Sequence, residues 1–476
     1  MTKSKSAAFI WNSIEKFGNE GVQFCIGIIL ARILSPSDYG VVGILLVFTA
    51  IAQILIDSGF TKALIQKNDK SKDDISTVFT FNLVIASSIY IVLWFCAPYI
   101  SSFYGEPSLV SLLRVLSLVL ISNALFAIPN TLLSIDLDFK TIAKINSSAI
   151  ILSGLFAIFL AYNGFGVWAL VFQYLSRSVL MLLFFTISNT YKYRIYFSKS
   201  SFKNLFKFGS NLMVSNLLNV VVGKFSSLFI AKVVSTADLG FYTRGMQFPD
   251  VAIGTLGSVL DNVLLPSLAK NKDNKSLRSE FERVMKLLHL ITLPITIILA
   301  VLAEPIVLLL LTDKWIAVVP ILQLFCLSRY FNNLISVNIN ILYVLNKTNL
   351  VLRQHYIKII IRVVLIIAAL PFGIIYIAAA EAVTSIIHFI INAYYPGKFL
   401  GYGIKKQLSG LYTYLVIALV IFLALTYINS NINSLYFKII FATLVGTLSF
   451  YSLAYLTKKN DFNYLKNFII NRLGKK

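Results

Sequence analysis

Charge is scarce in this chain, and negative charge scarcer still. Charged residues fill 13% of 476 positions, with 20 Asp and Glu against 42 Lys and Arg. The chain has only three histidines and three cysteines. Cys25, Cys96 and Cys326 each sit alone inside an apolar stretch, so they read as small core residues, with no disulfide and no metal site. No Gly-rich phosphate loop of the nucleoside-triphosphatase kind is present, which argues against ATP as a driver. No Asp-rich loop motif for a sugar nucleotide occurs, and no connector is long enough to hold a catalytic domain. The basic start Met1-Thr-Lys-Ser-Lys runs into a full-length apolar stretch without a small-residue cleavage site, so no cleavable signal peptide is expected. The reading is of a non-enzyme without a cofactor.

Apolar sequence fills the rest. Hydrophobic residues make up 58% of the chain and the mean hydropathy is +0.80. A bilayer core takes roughly 20 apolar residues per spanning helix, and inside lipid the backbone must satisfy its own hydrogen bonds, which a helix does. About fourteen stretches of that length follow one another. They cover 9–32, 40–60, 77–98, 110–131, 144–162, 165–188, 207–231, 241–265, 286–310, 319–344, 357–371, 373–395, 410–427 and 435–456. The expected fold class is an all-α membrane protein of about 14 transmembrane helices.

The basic residues alternate by connector. The N-terminal tail, the even connectors and the C-terminal tail carry roughly three-quarters of the 42 Lys and Arg. The odd connectors hold only Arg32, Lys232, Arg244, Lys314 and Lys438. The positive-inside rule then puts both termini in the cytoplasm. It also explains the net charge of +22 by topology and contact with anionic membrane lipids, without nucleic acid as a partner.

An internal repeat organises the spans. Leu30-Ala-Arg-Ile-Leu-Ser-Pro-Ser-Asp-Tyr-Gly40 matches Ile230-Ala-Lys-Val-Val-Ser-Thr-Ala-Asp-Leu-Gly240 in its Ala, basic residue, Ser, Asp and Gly. Phe165-Gly166-Val167 matches Phe372-Gly373-Ile374, and Ala97-Pro98-Tyr99-Ile100 resembles Ala303-Glu304-Pro305-Ile306. Six spans separate the copies, an even number, so the repeat is parallel. The division expected is 1–196 (helices 1–6), 197–396 (helices 7–12) and 397–476 (helices 13–14 with a basic tail), with a central cavity between the two six-helix lobes.

Polar residues inside the spans mark that cavity, because ionisable groups in a bilayer are costly and face a partner or water. At 100° per residue, Asn12, Lys16, Asn19, Glu20 and Gln23 share one arc of the first span, with Glu15 beside it. Asn211, Ser215, Asn219, Gly223 and Ser226 form a stripe on the seventh, flanked by Lys224. Arg329, Asn332, Asn333, Ser336 and Asn340 form another on the tenth. Arg114 and Arg177 stand singly and could equally snorkel to an interface. Lys16, Lys224, Arg329, Arg114 and Arg177 are the candidates for an anionic head group, since fixed cations in a low-dielectric cavity attract phosphate. Asn12, Asn19, Gln23, Asn211, Asn219, Asn333 and Ser336 are the candidates for sugar hydroxyls. Glu15, Glu20, Asp57, Asp250 and Glu381 are candidates for ion coupling, and Asp261 is a further intramembrane acid. The competing explanation is internal ion pairing, such as Lys16 with Glu20 or Arg329 with a neighbouring acid. His355, Lys358 and Arg362 share a face at the cytoplasmic edge, as an anchor or a head-group contact.

Three segments carry a family resemblance. Ala31-Arg32-Ile33-Leu34-Ser35-Pro36-Ser37-Asp38-Tyr39-Gly40 resembles the end-of-first-helix motif of polysaccharide exporters, the Wzx-type and WzxC-like flippases of the multidrug/oligosaccharidyl-lipid/polysaccharide superfamily. Asp57-Ser58-Gly59-Phe60-Thr61-Lys62-Ala63-Leu64-Ile65-Gln66-Lys67 is similar to that family's segment after helix two, and Gly164-Phe165-Gly166-Val167-Trp168-Ala169-Leu170 to its helix five–six junction. The resemblance implies a flippase of the bacterial inner membrane. Its substrate would be an undecaprenyl-pyrophosphate-linked oligosaccharide, moved by alternating access for O-antigen, capsule or exopolysaccharide assembly. A polysaccharide polymerase and assembly proteins would be its partners. Three alternatives remain open from the residues: a multidrug-type cation antiporter, a membrane polymerase or ligase, and an uncoupled scramblase.

Overall fold

A computed structural model describes residues 5–57, 59–67, 69–188, 194–257, 268, 273–458 and 461. The side chains of 5–17, 207, 208, 211, 212 and 215 lie outside that set. Among the described residues every regular element is helical. The chain groups by contact into two units, 1–240 and 241–476.

The first unit contains α1 (Lys5–Ile33), α2 (Pro36–Asp57), α3 (Phe60–Gln66), α4 (Lys72–Tyr104), α5 (Leu109–Leu116), α6 (Leu118–Ile135), α7 (Phe139–Tyr162), α8 (Val167–Ser188) and α9 (Lys199–Val233). α10 (Thr236–Pro249) begins in it. α1 packs along α7, α7 on α8, α4 on α6, and α9 on α2, α3 and α4. The second unit contains a π-helical turn (Asp250–Gly254), α11 (Asn274–Val301), α12 (Ala303–Leu310), α13 (Val318–Val344), α14 (Thr348–Ala369), α15 (Ile374–Leu400), α16 (Ile404–Ser430) and α17 (Leu435–Thr457). Its inner helices are α11 and α13, and around them pack α15, α16 and α17. Phe281, Leu288, Tyr330, Leu334, Tyr414 and Phe450 are fully enclosed in that core.

Among the described residues, twelve helices are long and apolar enough to cross a membrane. The expected count of fourteen is not confirmed, and two of the stretches are not among the twelve. α1 has the length but carries Glu15, Lys16 and Glu20 in its middle. The stretch 241–265 runs into 258–267, which with Asp261 falls outside the described residues. Other boundaries differ as well. Helices α4, α9 and α11 begin five to twelve residues before their apolar stretches (72, 199 and 274 against 77, 207 and 286), because hydropathy marks the lipid-buried part of a helix and capping marks its start. Ser71 forms a capping box with Asp74, and Lys67 pairs with that carboxylate at 2.5 Å. Ser198 caps α9. Asp273 caps α11 through Lys275 and Ser276, and the hydrogen bonds from Ser276 hold its carboxyl below the usual carboxylate range. The stretch 110–131 is interrupted at Ser117, where α5 passes to α6. Of the cysteines read as core residues, Cys326 is buried but Cys25 is exposed on α1.

The contact units differ from the division drawn by repeat. α9 belongs to the second sequence repeat, yet it packs on α2, α3 and α4 of the first unit. Repeat and compactness answer different questions, the first about duplication and the second about what touches what.

Candidate functional site

The repeated motif folds the same way twice. At the start of α2, the Ser35 hydroxyl donates to the Asp38 carboxylate at 2.7 Å and the Asp38 N–H donates back to Ser35 Oγ at 3.2 Å. At the start of α10, Ser235 donates to Asp238 at 2.6 Å and the Asp238 N–H donates to Ser235 Oγ at 3.0 Å. Each pair ties off the free N–H groups of a helix start and puts a carboxylate at its positive end. The glycines two residues on explain themselves by proximity. A Cβ on Gly40 would lie 1.6 Å from the Thr236 carbonyl oxygen, and one on Gly240 would lie 1.9 Å from that of Pro36. The two helix starts therefore touch backbone to backbone, reciprocally, with Ser37 and Thr236 hydroxyls 3.2 Å apart. The Phe-Gly repeat is also structural: Gly166 and Gly373 have φ of 53° and 93°, a region that side chains disfavour.

In the first unit, Asn19 accepts a hydrogen bond from Ser147 of α7 at 2.8 Å. Glu20 is exposed on α1, and Arg177 of α8 lies within its electrostatic reach. Gln23 is half-buried on the same helix, Lys224 is half-buried on α9 and Asn219 is exposed there. The side chains of Asn12, Glu15, Lys16 and Asn211 fall outside the described residues. Arg114 stands apart from these. It is half-buried on α5, donates to the Trp94 carbonyl at 3.3 Å and lies over the Trp94 ring at 4.5 Å, a cation–π contact. Asp57 ends a polar chain that crosses three helices. Gln53 donates to Asp57 at 3.1 Å, Asn123 of α6 to Gln53 at 2.8 Å, and Ser178 of α8 to Asn123 at 2.7 Å. Gln53, Asn123 and Ser178 were not singled out from sequence. The available signal was two lone amides inside apolar spans.

In the second unit, Arg329 of α13 pairs with Asp250 in the π-helical turn and lies over the Phe325 ring at 5.3 Å. Asn333, one turn on, donates to the Ile253 carbonyl at 3.3 Å. Asn332 and Ser336 are half-buried on the same face. Glu381 of α15 receives Arg362 of α14 at 2.7 Å, and His388 Nε2 lies 3.0 Å from the Lys358 carbonyl. The structure thus pairs two of the candidate coupling acids, Asp250 and Glu381, with arginines. Asn338 of α13 and Gln407 of α16 exchange reciprocal amide hydrogen bonds of 3.1 and 2.9 Å, also unforeseen. Among the described residues no group of three or more His, Cys, Asp or Glu side chains could hold a metal.

The chain is 24% identical over 413 residues to the teichuronic acid biosynthesis protein TuaB of Bacillus subtilis, covering 86% of this chain and 85% of that one. It is 27% identical over 320 residues to the succinoglycan biosynthesis transport protein ExoT of Rhizobium meliloti, covering 67% and 65%. It is 26% identical over 306 residues to the lipopolysaccharide biosynthesis protein WzxC of Escherichia coli, covering 63% and 61%. The fold resembles that of the lipid II flippase MurJ in an inward closed conformation, with a TM-score of 0.76 at 16% identity, over 95% of this chain and 99% of that one. An inward-facing multidrug resistance transporter of the MATE family superposes with a TM-score of 0.61 at 16% identity, over 82% of this chain and 98% of that one. The sequence profile of the polysaccharide biosynthesis protein family matches residues 29–320, from the end of α1 to the start of α13, and the chain is a multi-span membrane protein belonging to that family.

Proposed function

We propose that this chain carries polyprenyl-pyrophosphate-linked oligosaccharide units from the cytoplasmic to the outer leaflet of a bacterial inner membrane, for assembly of a surface polysaccharide. The observation that carries the reading is the conjunction of family and fold: relatives named for polysaccharide biosynthesis and transport, and a fold like that of a lipid II flippase. A hydrated oligosaccharide cannot cross about 30 Å of hydrocarbon unaided. Its prenyl tail can remain in lipid while the head passes among amides and cations. The alternation of basic connectors supports cytoplasmic termini. The touching starts of α2 and α10 then lie at the outer face.

In this reading Lys16, Lys224 and Arg329 receive the pyrophosphate, and the amides of α1, α9 and α13 meet sugar hydroxyls. Arg329 does so by exchanging counter-ions. A substrate phosphate replaces the Asp250 carboxylate, which is then free to take up a coupling cation or proton. Two of the five candidate coupling acids already face arginine, which favours an anionic substrate over the cationic drugs of a multidrug exporter.

The test is leaflet-resolved labelling of lipid-linked repeat units in cells with and without the chain. Deletion is expected to strand the units on the cytoplasmic leaflet, and Arg329→Ala to do the same while the protein remains folded and inserted. Outward delivery at the normal rate in the deletion strain refutes the proposal. Delivered but unpolymerised units point to a polymerase.

A further inference from the structure

An apolar groove in the first unit is lined by none of the residues proposed above to meet the substrate. It encloses about 570 Å³ and is lined by Phe48 of α2, by Leu93, Cys96, Tyr99, Ile100, Phe103 and Tyr104 of α4, and by Leu228 and Phe229 of α9. Eleven residues of α4 separate its ends, about 16 Å at the helical rise. Its walls are tied together. The Tyr104 hydroxyl donates to the Leu228 carbonyl at 3.3 Å across the groove, and Phe48 meets Tyr104 edge-on at 6.4 Å. One turn beyond Leu228 and Phe229, on the same face of α9, stands Lys232. It is exposed, lies 4.8 Å over the Phe103 ring and donates to the Phe103 carbonyl at 2.5 Å. An ammonium has three donors, and two of Lys232's have no partner among the described residues.

We infer that this groove holds the prenyl chain of the lipid-linked substrate, with Lys232 on its phosphate. The inference rests on the flippase reading and gives the tail a place on the protein. Charge complementarity selects an amphiphile with an anionic head, because the single cation sits at the end of an otherwise apolar slot. Five of the nine lining residues are aromatic, which offers a large apolar area to a lipid tail, and the flippase reading makes that tail the isoprenoid of the substrate. On the orientation proposed above, Lys232 lies at the outer interface, so the groove receives the tail as the head arrives in the outer leaflet.

Cys96 makes the groove testable in the full chain. With Cys25→Ser and Cys326→Ala in place, alkylation of Cys96 by N-ethylmaleimide is followed in detergent, with undecaprenyl phosphate or phosphatidylglycerol added. Undecaprenyl phosphate is expected to slow alkylation about fivefold and saturably, and phosphatidylglycerol to leave it unchanged. Lys232→Gln is expected to raise the half-protecting concentration about tenfold, the loss of one charge-assisted contact. Equal protection by phosphatidylglycerol makes the groove a site for bulk lipid and overturns the inference, as does protection that Lys232→Gln leaves unchanged. Absent protection overturns it too. If Cys96 is unprotected while deletion of the chain strands the units on the cytoplasmic leaflet, the flippase reading stands without the groove. If Cys96 is protected while the deletion strain delivers the units at the normal rate, the groove stands and the flippase reading falls.

Discussion

Replacing Gly40 by alanine tests the contact at which the two copies of the repeated motif meet. The new Cβ would lie 1.6 Å from the Thr236 carbonyl oxygen, where ordinary contacts begin at 3.4 Å. The neighbouring atom is backbone and cannot swing away, so the helix starts must part by well over 1 Å. Overpacking of this kind typically costs about 1–3 kcal/mol, which lowers the touching state roughly 5- to 150-fold relative to any state in which the helices are apart. The opposite sign follows if the contact does not form, since alanine inside a helix is favoured over glycine by about 1 kcal/mol. The readout is a cysteine pair. Ser37 and Thr236 have their hydroxyl oxygens 3.2 Å apart, so Ser37→Cys with Thr236→Cys should form a disulfide readily once Cys25, Cys96 and Cys326 are removed. Adding Gly40→Ala should slow that oxidation about tenfold or more and reduce export in parallel. Oxidation at the parental rate would refute the reasoning, because it would mean that the glycine is not what lets the helices touch.

Two further outcomes follow from the ion pairs and caps. Arg362→Met leaves Glu381 in a buried setting without its counter-ion and should cost about 3–5 kcal/mol, while the double change Arg362→Met with Glu381→Leu should recover most of it; thermal unfolding in detergent separates the two. Asp273 has a carboxyl held below its ordinary value, so its contribution to the start of α11 is present above about pH 4 and fades as pH falls through the lower native value. Hydrogen exchange in the first turn of α11 should therefore accelerate on acidification in the native chain and lose that pH dependence in Asp273→Ala.

Sequence made the class legible because lipid leaves the backbone so few choices. It also exposed the repeat, because Ser35, Asp38 and Gly40 and their counterparts meet demands of capping and close approach that few residue types satisfy. Partnership was harder to read. A lone arginine in an apolar helix announces that it needs a partner, but not which one. Arg329 finds Asp250 79 positions away, and Arg362 finds Glu381 on the next helix. The chain from Asp57 to Ser178 was missed because each amide looks like an isolated exception within its own span. Only packing of α2, α6 and α8 turns the exceptions into a line.

The C-terminal Asp461 accepts from Lys286 of α11 at 2.9 Å and from Tyr414 of α16 at 2.9 Å, and that contact sets a timetable for synthesis. Lys286 leaves the ribosome 175 residues ahead of its partner. At about 5–20 residues per second, it waits roughly 9–35 seconds for it. A chain released before 461 would carry the inner helix of the second unit with its ammonium unmatched and the Tyr414 hydroxyl without its acceptor. The clasp thus ties a helix inserted early to a residue translated long after it.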